Sequence, residues 1–179
     1  MAQTTNPQES LWGVDSSPAI KSYTLSNLRK IPQIEKFTEE QIFEMEVVAQ
    51  VLPFKANNYV IEQLIDWDNV PGDSMFNLTF PQKHMLKSEH YDMMASVLKN
   101  NPAPKEIKAM ADKIRLELNP HPAGQMELNV PMLKDGTKLY GMQHKYKETT
   151  LFFPSQGQTC HAYCSFCFRW PQFVGMDEM

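Results

Sequence analysis

The sequence predicts an α/β fold: a helical N-terminal region, then the first strand and a cysteine-bearing loop of a partial, truncated β/α barrel of TIM type. Three observations carry this. Apolar residues recur at helical spacing through the first 120 residues. A compact β-rich run, Thr149-Thr-Leu-Phe-Phe153, follows. That run leads directly into a loop holding every cysteine of the chain, Cys160, Cys164 and Cys167. A strand ending in a chemistry-bearing loop is how a β/α barrel presents its site. A whole barrel takes roughly 200 residues or more, which the short stretch between Cys167 and Met179 does not supply. The sequence is therefore read as the N-terminal fragment of a longer protein, divided into an arm (1–30), a helical region (31–122) and the start of the barrel (123–179).

The elements follow in order. The opening residues are polar and proline-dotted, with Trp12 their one large anchor, and read as an arm ordered by docking. Thr38 and Gln41 have capping-box spacing, and Ile42, Phe43, Met45, Val48, Val51 and Leu52 then recur at helical intervals until Pro53. A second helix is expected over 58–67, with Tyr59, Val60, Ile61, Leu64 and Ile65 on its apolar side. Pro71-Gly72 and Pro81 make 69–82 a loop with an extended middle at 75–80. Ser88 is placed as the cap of a third helix carrying Tyr91, Met94, Val97 and Leu98, which stops at Asn101-Pro102. Pro104 suits the first turn of a fourth, where Ile107, Met110, Ala111, Ile114 and Leu118 repeat at three and four, until Asn119-Pro-His-Pro122 breaks it. The first 120 residues thus read as all-helical, and Asp135-Gly136 then marks a turn between short extended segments.

Composition narrows the class. With 17 basic and 21 acidic side chains the formal charge is −4, which makes no electrostatic case for a nucleic-acid partner. No apolar run reaches the roughly 18 residues needed to span a membrane, and the polar opening residues resemble no secretory signal. A cytoplasmic, reducing compartment is expected, because it keeps the thiols available. The methionines, Met45, Met93, Met94 and Met110 among them, fall at helical positions and read as core fillers.

The cysteine run is Cys160-His-Ala-Tyr-Cys164-Ser-Phe-Cys167. Thiolates gathered this closely point to a metal, because a soft cation neutralises anionic sulfurs that would otherwise repel. A 4Fe–4S cluster held by three cysteines keeps one iron open to another ligand, whereas four would close it. Zinc competes: Cys160, Cys164 and Cys167 with His161 or His144 make a Cys₃His set. On that reading the protein is a non-enzymatic interaction module that docks partners on its helices. Zinc folds usually pair two short-spaced ligand couples, and no second couple exists here. An odd cysteine count argues against a disulfide framework. Glu39, Glu40, Asp66 and Asp68 read as solvated charges.

The spacing of the cysteines, with Phe166 just before the last, resembles the signature of the radical S-adenosylmethionine superfamily. The long helical region ahead of the motif, with Leu64-Ile-Asp-Trp67, Asn119-Pro-His-Pro122 and His144-Lys-Tyr146, resembles the lysine 2,3-aminomutase family over residues 30–179. That resemblance implies a cluster on Cys160, Cys164 and Cys167, with S-adenosylmethionine on the open iron and Phe166 beside its adenine. It implies a 5′-deoxyadenosyl radical, pyridoxal 5′-phosphate met by Lys145 and Tyr146, and an amino-acid substrate whose carboxylate Arg169 holds. The reaction implied is migration of an amino group between the α and β carbons, fed by an electron donor such as a flavodoxin or ferredoxin. A homo-oligomer is compatible with it. Where the family carries His-Arg-Tyr and an arginine three positions later, this chain has His144-Lys145-Tyr146 and Thr149. That departure leaves room for a radical enzyme of another substrate class that has lost pyridoxal phosphate.

Overall fold

The structure, a computed structural model, describes residues 20–118, 129–152, 160 and 162–164. Strand β1 (Ser22–Thr24) leads into short 3₁₀ segments at Leu25–Lys30, kinked at Asn27, and Pro32–Lys36, then α1 (Glu39–Val51). Thr38 caps α1 as its sequence predicts. Its hydroxyl accepts from the Gln41 amide at 3.2 Å, and the Gln41 side chain accepts from the Thr38 amide at 2.9 Å. Two of the helix's orphan N–H groups are thereby satisfied.

Helix α1 spreads its apolar residues over more than one face, between the polar positions Glu39, Glu40, Gln41, Glu44, Glu46 and Gln50, and so packs on more than one side. Ile42, Met45 and Ala49 face one cluster with Tyr23, Leu28, Ile31, Ile34, Phe54, Ile61, Ile65, Phe76 and Phe80. Val47, Val48 and Val51 face a second, built with Leu86, Tyr91, Met94, Ala95, Ala111 and Ile114. Tyr23 and Leu28, in the stretch assigned to the arm, are thus core residues. Met45 and Met94 are buried, and Met93 and Met110 pack against the second cluster, as expected of fillers.

After α1 the chain forms β2 (Lys55–Asn57), paired antiparallel with β1, so the first 120 residues are not purely helical. Three-residue strands are too short to show the alternation that would announce them. The helix expected at 58–67 is present but shorter: the chain is helical over 58–64, with Val60–Leu64 widened to a π-helical turn closed by the Ile65 amide on the Val60 carbonyl at 3.2 Å. Ile61 and Ile65 go inward, whereas Tyr59 and Leu64 are exposed.

The expected extended segment at 75–80 is a helix, α2 (Ser74–Thr79). Asp73 caps it by accepting from the Phe76 amide at 2.7 Å, and Phe76 and Phe80, one turn apart, stack at 4.9 Å. Trp67 meets both rings edge-on, at 5.9 and 5.6 Å, and its indole donates to the Ile61 carbonyl. Helices α3 (Ser88–Lys99) and α4 (Pro104–Leu118) close the second cluster against α1. Ser88 begins α3 rather than capping it, since Lys87 occupies the cap position without a side-chain bond. Asp66, Asp68 and Glu39 are solvent-side groups: Asp68 pairs Lys36 and Glu39 pairs Arg29 at the surface.

Beyond residue 128, Leu133 and Thr137 bracket the turn at Asp135-Gly136, with Gly136 in the left-handed region at φ +87°. Strand β3 (Met142–Tyr146) then pairs antiparallel with β4 (Thr149–Phe152). The run foreseen as a first barrel strand is thus the second arm of a hairpin. Among the described residues both sheets are two-stranded and antiparallel. No helix of the described residues is long and apolar enough to cross a membrane.

Candidate metal centre

Cys160 and Cys164 are free, exposed thiols, and the Cys160 sulfur lies 3.7 Å from the Ala162 carbonyl. Cys167, Phe166, Arg169 and His161 lie outside the described residues. Among the described residues no three His, Cys, Asp or Glu side chains stand together as a metal-holding group. His144, the other histidine of the zinc alternative, is exposed on β3, and its amide donates to the Asn129 carbonyl at 2.8 Å.

Among the described loop residues, Tyr163, directly before Cys164, makes the long-range contacts. The Tyr163 amide donates to the Leu78 carbonyl at 2.7 Å. Its phenol reaches back across the chain to the carbonyls of Leu52 at 3.3 Å and Pro53 at 3.2 Å. These acceptors have a common origin. The last carbonyls of a helix have no partner inside it; Leu78 lies in the final turn of α2, Leu52 is the C-cap of α1, and Pro53 follows directly. Pro53 ends α1 and turns the chain away, leaving this row of acceptors for another segment. Loss of solvent around the phenol pushes the Tyr163 pKa above the ordinary phenol range, so the group stays a donor.

The same terminus is held from the other side by Arg115 of α4, which donates to the Gln50 and Val51 carbonyls at 3.0 and 2.8 Å. The cysteine loop is therefore seated on a helix end that the core itself positions. Sequence patterns gave no sign of Tyr163; an aromatic between two cysteines has no periodic context from which a partner 110 residues away could be inferred.

Of the other site candidates, Lys145 and Tyr146 sit at the end of β3, and Tyr146 is exposed. Thr149 is exposed across the hairpin from Tyr146.

Fold and loop together define a thiol-bearing segment docked on a helical region, a candidate thiolate metal centre. The chain is 28% identical over 145 residues to a protein of Aquifex aeolicus (strain VF5) described as "Putative L-lysine 2,3-aminomutase". That match takes in 81% of this chain and spans 28% of the relative's length. No family model matches the chain, and no solved structure matches it.

Proposed function

We propose that this chain carries the cluster-binding part of a radical S-adenosylmethionine enzyme of the lysine 2,3-aminomutase type. The observation that carries the reading is the loop itself: three cysteines spaced by three and then two residues, of which the two described are free, exposed and held on an anchored segment. The distant likeness to the Aquifex protein supports the same direction.

The donor set fits an iron–sulfur cluster. Thiolates suit soft or borderline metals, and three of them leave one iron of a 4Fe–4S cluster open. When bound, the cluster and S-adenosylmethionine supply a 5′-deoxyadenosyl radical that abstracts hydrogen from the substrate. Cys160, Cys164 and Cys167 hold the cluster, and Phe166 flanks the adenine. Arg169 orients the carboxylate of an amino acid through two parallel hydrogen bonds, for which the planar guanidinium is suited. On this reading the loop would sit at the carboxyl end of a barrel strand, a role that β4, paired antiparallel in a two-stranded hairpin, does not itself show. The substrate is an amino acid as a free small molecule, the electron source a flavodoxin- or ferredoxin-like protein, and the compartment the reducing cytoplasm.

Pyridoxal 5′-phosphate fits less well. Lys145 offers its phosphate one cation without Arg's fork, and Thr149 offers none. No step of the proposal runs through that cofactor, and the Thr149 position favours, as a second reading, a radical enzyme acting on another substrate class.

Anaerobic reconstitution tests the proposal. The expected result is about four iron and four acid-labile sulfide per chain, with brown absorbance that bleaches on reduction. Production of 5′-deoxyadenosine from S-adenosylmethionine is then lost in Cys160→Ala and Cys164→Ala. One colourless zinc per chain without sulfide overturns the reading in favour of a zinc-bearing interaction module.

A further inference from the structure

We infer that Tyr163 is the positioning residue of the cysteine loop: by bonding the carbonyl ends of α1 and α2, it fixes where the segment from Cys160 to Cys164 presents its thiols. This rests on the reading of the loop as a cluster site and adds to it the device that holds the loop in place.

The geometry carries the inference. Tyr163 directly precedes Cys164, so any movement of its backbone moves that sulfur. Its amide and phenol attach to two separate helices, at Leu78 on one side and at Leu52 and Pro53 on the other. Two attachment points on different elements fix orientation as well as position. The elements they grip are rigid. Helix α1 is sandwiched between both apolar clusters, and α2 is held by Phe76, buried in the first cluster against Phe37 and Trp67. Among the described residues neither cysteine shows comparable anchoring: both are exposed, and Cys160 contacts the nearby Ala162 carbonyl. A catalytic constellation that must present an open iron to a small molecule depends on such support, because misplacement by about 1 Å can cost on the order of 100-fold in rate.

The test is Tyr163→Phe, which keeps the ring and removes only the hydroxyl. Hydrogen exchange at the residue-163 amide, followed in metal-free protein, should speed up about fivefold, the effect of losing one modest hydrogen bond. In reconstituted protein the iron content should stay at the parent level. The S-adenosylmethionine concentration that half-converts the electron paramagnetic resonance signal of the reduced cluster should rise about fivefold or more, a change that a residue serving only the fold would not produce. Equal exchange rates and equal half-conversion concentrations in parent and variant overturn the inference. So does a large fall in the melting temperature of the helical region, which would make Tyr163 a residue of the core. If the parent itself takes up no iron and sulfide, the functional reading is what has failed. The exchange measurement then still decides whether the phenol holds the loop, and Tyr163→Leu, which removes ring and hydroxyl together, should exchange faster still.

Discussion

The Arg115 guanidinium donates from Nε to the Val51 carbonyl, 2.8 Å away, and so ties the last turns of α4 to the end of α1. Its Nη2 reaches the Gln50 carbonyl at 3.0 Å and its Nη1 the Asp112 carboxylate at 3.1 Å. The carbonyls at and just past the end of α1 are thereby shared, Gln50 and Val51 by Arg115, and Leu52 and Pro53 by the Tyr163 hydroxyl. A cation at a helix C-terminus also complements the helix dipole. Burial draws the Arg115 pKa below the ordinary guanidinium value, against the opposing pull of Asp112, but a guanidinium stays charged throughout the working range.

Arg115→Ala should lower stability by about 2 kcal/mol, because two carbonyls lose a charged donor at once. Arg115→Lys should recover only part of it, since a single ammonium lacks the fork that spans two acceptors. Urea unfolding midpoints of the three proteins check the order parent, Lys, Ala. A midpoint for the Ala variant equal to the parent's would show that water replaces the side chain without cost.

Phe76 is almost fully buried and touches Phe37, Trp67 and Phe80. Phe76→Ala should cost about 3–5 kcal/mol through the lost burial and the cavity left behind. Phe76→Leu should cost less. Near-ultraviolet circular dichroism, to which Trp67 contributes along with Trp12 and Trp170, should change in both variants, and thermal melting should rank them.

Stability at acid pH should depend on Asp112. Hydrogen bonding from Lys108 first, and the charges of Lys108 and Arg115 after it, hold its carboxyl below the usual carboxylate range. Because the folded pKa is the lower one, the carboxylate's contribution is fully present above the unfolded value of about 3.9 and is lost as pH falls through the folded pKa. Asp112→Asn should therefore be less stable than the parent at neutral pH, with the gap narrowing as pH drops below about 4. Parallel unfolding curves at every pH from neutrality to the acid limit would contradict this.

The exposed Cys160 and Cys164 thiols should both react with a maleimide in metal-free protein and resist it once iron and sulfide are bound. Mass spectrometry of the labelled peptides distinguishes the two sites. Protection by zinc alone, with none from iron and sulfide, would transfer the loop to the other metal.

The long helices were legible because each buries a broad stripe over three turns or more, as Met94, Ala111 and Ile114 show at the second cluster. Helix α2 was not, although Asp73 stands before it as a cap; six residues bounded by proline on both sides give too few repeats for the period to outweigh the turn signals. The helix expected over 58–67 is there but stops at 64. Ile61 and Ile65 have helical spacing, and the spacing alone does not reveal that the last five residues widen into a π turn and end. Strands β1 and β2 are three residues each, and their pairing joins positions on either side of α1.

By itself the sequence determined the order of the long helices, the cap at Thr38, the turn at Gly136 and the clustering of every cysteine in one short segment, because each depends on residues close together along the chain. Only the tertiary structure decided that α1 is buried on two sides, that β4 is half of a hairpin, and that Tyr163 and Arg115 share the carbonyl end of α1. Those outcomes come from unsatisfied backbone acceptors and unburied apolar faces finding partners far away in sequence, and such a match depends on how the elements pack, which no local pattern encodes.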